Sequence, residues 1–415
     1  MKIVLVNHYA GSPAHGMEFR PHQFARQWVA AGHDVVVIAG SYSHLRNMNP
    51  VFEGSSSSEY IDGIEYRWLK TPIYHSNGIA RIRSIRTFLA AVERERRSLL
   101  SKTRVDAVIA SSTYPFDIDP ARRIARDHDA LLVWEVHDLW PLSPMELGGF
   151  SKWNPLIWVT QRAEDRCCRD ADLVVSILPK TLEHLQSRGL AKDRFVTIPN
   201  GAEPEPPPAR IPDAQKSIEH HRENGRFTIA YAGGIGGYHG LESLIRAFAT
   251  LDPETVAMVL VGDGPEKERL ERLASDLGCR HVEFHDRVPR SEALAIIASA
   301  DAIFVGLHRH SIYRFGIGLN KIYDAMLAAR PVIASYSAGN DPIGEAGCGI
   351  TVPAEDVPAI AEAIRRVRSM PVEERSRYGD AGAAFVREHH DFRMLADRFI
   401  VAMEEARARK TGADG

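Results

Sequence analysis

Short apolar runs bounded by polar turns alternate along this chain with stretches whose apolar residues recur every three or four positions. KIVLVN, from Lys2 to Asn7, has the continuous apolar character of a buried parallel strand. After a polar loop, RPHQFARQWVAAGH sets Phe24, Trp28 and Ala31 on one helical stripe, and Gly32 closes the helix. DVVVIAG, VDAVIAS, LLVWEV, DLVVSI and RFVTIP repeat the strand pattern, with helical stretches between most of them. Strands alternating with helices predict a parallel, doubly wound α/β sheet over residues 1–200.

Proline and charge then dominate NGAEPEPPPARIPDAQKSIEHHRENG, so residues 201–226 read as an interdomain linker. FTIAYAG, AMVLVGDG, HVEFH, DAIFVGL and PVIAS, again with helices between, predict a second doubly wound domain over 227–388. Helices continue from Val357, and the last runs from about Phe392 to Arg409 after the turn-like EHHD. The low-complexity content is Ser55 to Ser58. Two such domains are expected to present the C-terminal edges of their strands to a shared cleft, because open α/β sheets bind ligands at that edge.

Composition narrows the classes. With 44% hydrophobic and 25% charged residues in 415, the chain can bury large cores, and a formal charge of -3 gives no argument for nucleic acid as a partner. Cys167, Cys168, Cys279 and Cys348 form no CxxC pair, so neither a zinc site nor a disulfide framework is expected and reduced thiols in the cytosol are. Met1-Lys2 leads straight into a strand too short for a signal-peptide core, and no apolar run approaches the roughly 18 residues of a membrane span. HExxH, GxSxG and P-loop signatures are missing.

The strongest candidate chemistry lies in YRFGIGLNKIYDAMLAARPV, Tyr313 to Val332. A loop with Gly316 and Gly318 runs into Asn320, read as a helix N-cap, and Lys321 and Asp324 then share a helix face before Arg330-Pro331 ends the helix. An ammonium and a carboxylate so placed can serve a phosphate and two ribose hydroxyls of one ligand, or merely be solvated and complement the helix dipole. AGGIGGYHG, Ala232 to Gly240, offers the amides of Gly233, Gly234, Ile235 and Gly236 to a pyrophosphate at a helix start. As a dinucleotide fingerprint it lacks a glycine at His239, although Asp263, between Gly262 and Gly264, stands where a ribose-binding acid belongs. That keeps an NAD-dependent oxidoreductase as an alternative. GDGP reads equally as a plain turn with proline opening a helix or as part of a nucleobase pocket. In the first domain WEVHDLWP puts His137 and Asp138 just past a strand, as catalytic groups or as a strand-end hydrogen-bonded pair. The loop HYAGSPAHGMEFR, with Gly11, Gly16, Glu18 and Arg20, is either an acceptor site or a long connection.

In their order along the chain, WEVHDLWPLSPMELGGF, IPNGAEP, AGGIGGYHGLESLIRAF, LVGDGPEKERL, FHDRVPRSEA and RFGIGLNKIYDAMLAARPVIAS resemble glycosyltransferase family 4, the retaining enzymes of the GT-B fold, and within it the bacterial polysaccharide branch typified by N-acetylfucosamine transferases. The resemblance covers nearly the whole chain. It implies two Rossmann-like domains, an acceptor held by the first, a nucleotide-sugar donor held mainly by the second, and a final helix over 389–415 crossing back to the first domain. Two positions depart from the family pattern of Glu, seven residues, Glu. Asp324 matches the second acid, but Gly316 stands at the first, and the phosphate-binding arginine and lysine of the glycine loop are matched by Gly234 and His239.

The function implied is metal-independent transfer of a sugar, an amino or deoxy hexose, from a UDP- or GDP-sugar to a hydroxyl of a growing glycan. No cofactor is expected, the nucleotide sugar being a substrate. Asp324 would hold the ribose. Lys321, as a catalytic cation, would stabilise the leaving diphosphate with Arg314 of the Tyr313-Arg314-Phe315 segment, and Asp263 with Arg287 and Val288 would line the base. His137, beside Asp138, would fix a donor-sugar hydroxyl. A nucleotide-sugar epimerase and a non-catalytic binding protein stay open beside the oxidoreductase. Finally, NGIARIRSIRTFLAAVERERRSLLSKTR carries Arg81, Arg83, Arg86, Arg94, Arg96, Arg97, Lys102 and Arg104 against Glu93 and Glu95, with Ile82, Ile85, Phe88 and Leu89 at helical spacing. It reads as a basic amphipathic helix for an anionic membrane surface, where a polyprenyl-diphosphate-linked acceptor would be presented, or as a charged face over a core-facing helix. The expected location is cytoplasmic and peripheral on the inner face of the membrane.

Overall fold

The computed structural model describes residues 1–16, 20–75, 78–100 and 104–412, the side chains of 98–100 excepted. The chain divides into two compact units, Met1–Asn200 with Phe392–Gly415, and Gly201–Asp391.

In the first unit eight strands form one sheet in the order β3-β4-β2-β1-β5-β6-β7-β8. They are β1 (Lys2–Val6), β2 (Asp34–Gly40), β3 (Ser56–Ile61), β4 (Ile64–Leu69), β5 (Ala107–Ala110), β6 (Leu131–Val136), β7 (Leu173–Ser176) and β8 (Phe195–Thr197). The pairings are parallel, as the alternation predicts, except for the β3–β4 hairpin at one edge. That hairpin escaped the sequence pattern because β3, SSSEYI, has no fully buried residue, and an edge strand with one solvated side lacks the apolar run that marks a central one. Helices α1 (Arg20–Ala30), α2 (Ile79–Leu100), α3 (Ile118–His128), α4 (Leu142–Glu146), α5 (Pro155–Asp170) and α6 (Leu182–Ser187) connect the strands.

The second unit holds a six-stranded, wholly parallel sheet in the order β11-β10-β9-β12-β13-β14. Its strands are β9 (Phe227–Ala232), β10 (Val256–Val261), β11 (Val282–His285), β12 (Ala302–Gly306), β13 (Val332–Ser335) and β14 (Gly349–Val352). Its helices are α7 (Asp213–Glu223), α8 (Leu241–Phe248), α9 (Lys267–Asp276), α10 (Arg290–Ser299), α11 (Asn320–Leu327), α12 (Pro342–Ala346), α13 (Val357–Ser369) and α14 (Val372–His389). The segment 201–226 differs from the linker reading. It contains α7, which buries Ala214, Ile218 and His221 and packs on β9, β10 and α10. Three buried positions among proline and charge are too few to show as a stripe in the sequence.

The last helix, α15 (Phe392–Thr411), packs on α1, β6 and β7. Phe24 meets Phe392 and Phe399 edge-on at 5.7 Å, and the Trp28 indole donates to the Ala396 carbonyl at 3.2 Å. Arg407 pairs with Asp106 at 2.9 Å and Lys410 with Asp172 at 2.8 Å.

Candidate functional site

Among the parallel strands the order reverses between β9 and β12 in the second unit and between β1 and β5 in the first. Crevices beyond the carboxyl ends of strands at such a point are where ligands sit in open α/β sheets.

In the second unit the loop after β9 is joined by backbone hydrogen bonds to the loop after β10. Gly233 N donates to Val261 O at 3.0 Å, Ile235 N to Asp263 O at 2.9 Å, and Glu266 N to Ile235 O at 3.1 Å. So close an approach demands glycine on the second loop: a Cβ on Gly262 would stand 1.9 Å from Gly233 O, and one on Gly264 2.3 Å from Ile235 O. The joining corrects part of the sequence reading. Ile235 is wholly buried and its amide is engaged, as is that of Gly233, so neither has a donor to offer. Among the described residues the amides of Gly234 and Gly236 have no partner, and a Cβ at 236 would meet nothing within 4 Å.

Lys321 reaches this loop from α11. Its Nζ donates to Tyr231 Oη at 2.8 Å and lies 3.4 Å from His239 Nδ1, while Tyr231 Oη donates to Gly234 O at 2.6 Å. Burial lowers the Lys321 ammonium to about 8. Burial, then Lys321 and His308, lowers His239 to about 4, so His239 is neutral beside the lysine. Asn320 is the first helical residue and Leu319 the N-cap, without a side-chain cap, which corrects the N-cap reading. Asp324, one turn on from Lys321, accepts from Arg290 Nη2 at 2.6 Å through Oδ1, and Arg290 also holds Glu205. Burial raises the Asp324 carboxyl and Arg290 opposes the shift. Arg290 and Glu205 were not singled out from the sequence. Arg290 lies inside a quoted motif, but Glu205 sits in the stretch read as linker.

The remaining donor candidates are more peripheral. Asp263 is exposed and its carboxylate accepts from Gly264 N at 2.7 Å; Arg287 is exposed, and Val288 packs half-buried on the core. Tyr313, Arg314 and Phe315 form a 3-10 turn in which exposed Arg314 donates to Ser311 O at 2.7 Å and lies 4.3 Å from the Phe315 ring centre. Gly316 follows at φ 106 and ψ 176. That conformation is nearly restricted to glycine. The backbone therefore explains why no acid stands at 316.

In the first unit Asn7, Ser111, Glu135 and His137 meet beyond β1, β5 and β6. His137 Nε2 lies 3.1 Å from both Glu135 Oε2 and Ser111 Oγ, and Ser111 Oγ donates to Glu135 Oε2 at 2.6 Å. Asn7 Nδ2 donates to Ser111 O at 2.5 Å. Burial would raise the Glu135 carboxyl, but Arg20 and His137 hold it well below the usual carboxylate range. A carboxylate at Nε2 orients the ring and leaves Nδ1 for another partner. Glu135 was missed because within LLVWEV it counts only as a strand position. Asp138 is exposed beside this group.

Arg20, expected to meet an acceptor, is instead buried. Its Nε donates to Glu135 Oε1 at 2.7 Å and its Nη2 to Ile198 O at 2.7 Å, so it anchors the chain after β8. Gly11 and Gly16 likewise shape the loop: Gly11 is buried and its carbonyl accepts from Tyr66 Oη at 3.0 Å, and Gly16 adopts φ 69 where a Cβ would meet Asn47 at 2.5 Å. Glu18 lies outside the described residues. The stripe of α2 read as a membrane face is divided, because Ile85, Phe88 and Val92 are buried in the core. Arg94 pairs with Glu95, and Arg96 with Glu93 and Asp127, while Arg83 and Arg86 have no partner among the described residues; Lys102 lies outside them.

Comparison with known proteins gives these two clusters a family. The family described as glycosyl transferase 4-like domain matches residues 15–201, and that described as glycosyl transferases group 1 matches residues 226–369. The probable glycosyltransferase WbjE of Pseudomonas aeruginosa is 27% identical over 301 residues, covering 70% of this chain and 72% of its own. A GDP-mannose-dependent alpha-(1-6)-phosphatidylinositol monomannoside mannosyltransferase of Mycolicibacterium smegmatis is 30% identical over 226 residues, 50% of this chain and 55% of its own. Among solved structures, sucrose-phosphate synthase from Thermosynechococcus elongatus superposes with a TM-score of 0.72 at 18% identity, covering 98% of this chain and 99% of that one. The fold is GT-B.

Proposed function

The chain belongs to the glycosyltransferases that join a glycosyl transferase 4-like domain to a group 1 domain, and on that premise we propose that it moves a sugar from a UDP- or GDP-sugar to a hydroxyl of a glycan, with retention of anomeric configuration. The observation that carries the donor half is the cation and amide set at the β9–β12 switch point. Lys321 and the unpartnered amides of Gly234 and Gly236 would hold the diphosphate and stabilise the charge it gains as the glycosidic bond breaks. Asp324 would receive a ribose hydroxyl at Oδ2 while Arg290 holds Oδ1. Phosphate neutralised by these groups requires no divalent ion. His137, its Nε2 tied to Glu135, would offer Nδ1 to a sugar hydroxyl. With glycine at 316, a front-face route is favoured. The acceptor oxygen bonds to the anomeric carbon as the bond to the diphosphate breaks, and the leaving phosphate oxygen takes the acceptor's proton.

An amino or deoxy hexose as the sugar, and a bacterial surface polysaccharide as the product, follow the resemblance of the sequence motifs. A polyprenyl-diphosphate-linked acceptor at an anionic membrane surface belongs to the same reading, and the mycobacterial relative, named for a lipid-borne acceptor, supports it. No helix among the described residues is long and apolar enough to cross a membrane. In this reading the chain attaches peripherally, at the inner face.

The test is incubation with a panel of UDP- and GDP-sugars, with and without a lipid-linked acceptor extract, followed by detection of free nucleotide and the anomer formed. Acceptor-dependent nucleotide release with a retained anomer is expected. Conversion of the sugar without acceptor would mark an epimerase, and tight binding without turnover a binding protein.

A further inference from the structure

The stretch EPEPP, from Glu203 to Pro207, reaches the donor cluster from the segment that composition marks as a linker. Ala202 is buried in the core of the second unit and its amide donates to His390 O at 3.0 Å, so the stretch starts from a fixed point. Pro204 and Pro206 then fix the backbone on either side of Glu205 and supply no amide to compete for its carboxylate. Glu205 is half-buried and accepts from Arg290 Nη1. The same guanidinium donates through Nη2 to Asp324 Oδ1 at 2.6 Å and to Glu203 O at 3.4 Å, and all of these residues belong to the second unit.

A guanidinium is a planar fork, and its strongest match to a carboxylate is two parallel hydrogen bonds. Arg290 does not make that match with Asp324, because one prong is taken by Glu205. Asp324 Oδ2 consequently has no partner among the described residues, although its side chain is only 18% exposed. Without Glu205 the fork would close on both oxygens of Asp324, and a ribose hydroxyl would have to break an ion pair to bind. Charge alone points the other way. Burial raises the Asp324 carboxyl, Arg290 opposes the rise and Glu205 adds to it, so removing Glu205 would make Asp324 the better acceptor if only charge counted. Geometry and charge therefore predict opposite signs.

We propose that Glu205 is a positioning residue that sets the ribose selectivity of the donor site: by holding Nη1 of Arg290 it limits the guanidinium to one oxygen of Asp324 and keeps the other open to the ribose hydroxyls of the nucleotide. It rests on the reading of Asp324 as the ribose acid and names what keeps that acid available. The stretch from Glu203 to Pro207 is then part of the donor site and not a passive connection.

The test is calorimetric titration of the full chain with UDP, GDP and their 2′,3′-dideoxy forms, which lack both ribose hydroxyls. For whichever base binds, the wild type is expected to hold the ribonucleotide at least about tenfold more tightly than the dideoxy form. Glu205→Ala should remove most of that preference, weakening the ribonucleotide about tenfold while dideoxy affinity and melting temperature stay as in wild type. Glu205→Gln, which keeps an acceptor oxygen for Arg290, should do so in milder form. A side chain that merely supported the fold would weaken both nucleotides together. An unchanged or increased preference in Glu205→Ala, or an equal loss for both nucleotides, would overturn the proposal. Asp324→Ala is titrated in parallel. If it loses the preference while Glu205→Ala keeps it, the role of Glu205 alone is wrong; if the wild type binds both forms alike or binds neither, or if Asp324→Ala keeps the preference, Asp324 is not the ribose acid and the parent reading falls with the proposal.

Discussion

Lys321 was legible as a candidate because lysine and aspartate three apart after a glycine loop is a pattern of residue types. Its environment was not. The sequence could not show that Tyr231 and His239 would surround the ammonium, or that burial would lower it to about 8. That shift gives a signed prediction. In the proposed site the protonated amine meets a diphosphate whose own second ionisation lies near about 6, so affinity for UDP or GDP should be level between about pH 6 and 8, weaken below that range as the diphosphate gains a proton, and fall by up to tenfold per pH unit above it. Lys321→Met should bind more weakly by roughly 1.5 to 3 kcal/mol and show no such fall. Titrations at pH 7, 8 and 9 check both, and a wild-type profile as flat as the variant's would remove Lys321 from the diphosphate. Asp324 and Glu135 teach the complementary lesson, since each depends on an arginine distant in sequence, Arg290 and Arg20, and no local pattern announces a partner 34 or 115 positions away.

At the scale of elements, central strands announced themselves because both their faces are buried, as the six fully buried residues of VAMVLV in β10 show. The edge strands were uneven: serine-rich β3 and β14, GITV, with only half-buried residues, gave no signal, whereas β8 and β11, also at sheet edges, lie in the runs RFVTIP and HVEFH. The two glycine loops were visible as composition, but their joining was not, because the need for Gly264 arises from the Ile235 carbonyl 29 residues earlier. Gly264→Ala places a methyl group 2.3 Å from that oxygen, so the loops must part and the free amides of Gly234 and Gly236 lose their setting. Strain at a packed backbone contact costs roughly 1 to 3 kcal/mol, little against a large domain's core but enough to misplace a phosphate site. Nucleotide affinity should fall about tenfold with the far-ultraviolet circular dichroism unchanged. Wild-type affinity in this variant would show that the spacing of the two loops does not set the site.

For the whole molecule, the alternation of strands and helices was enough to give two sheets, whereas the place of the last helix was not written in its own residues. The stripe of α15 shows that it must pack somewhere, and the aromatic set Phe24, Trp28, Phe392 and Phe399 shows where: on the unit that begins 391 residues earlier. The first unit is therefore closed only when the end of the chain has been made. Ending the chain after Asp391 would uncover Phe24 and Trp28 and remove two buried phenylalanines, each worth roughly 3 to 5 kcal/mol, while the second unit keeps its core. All six tryptophans lie before Asn200, so tryptophan fluorescence follows the first unit by itself. In the truncated chain that signal should melt at a markedly lower temperature, or be lost already at 25 °C, while UDP or GDP affinity stays within about twofold of the full chain. Phe399→Ala should give the same separation in milder form. Coincident loss of nucleotide binding and tryptophan signal would mean that the second unit does not hold its site without a folded first unit, and the donor cluster would then have to be sought across more of the chain than Gly201–Asp391.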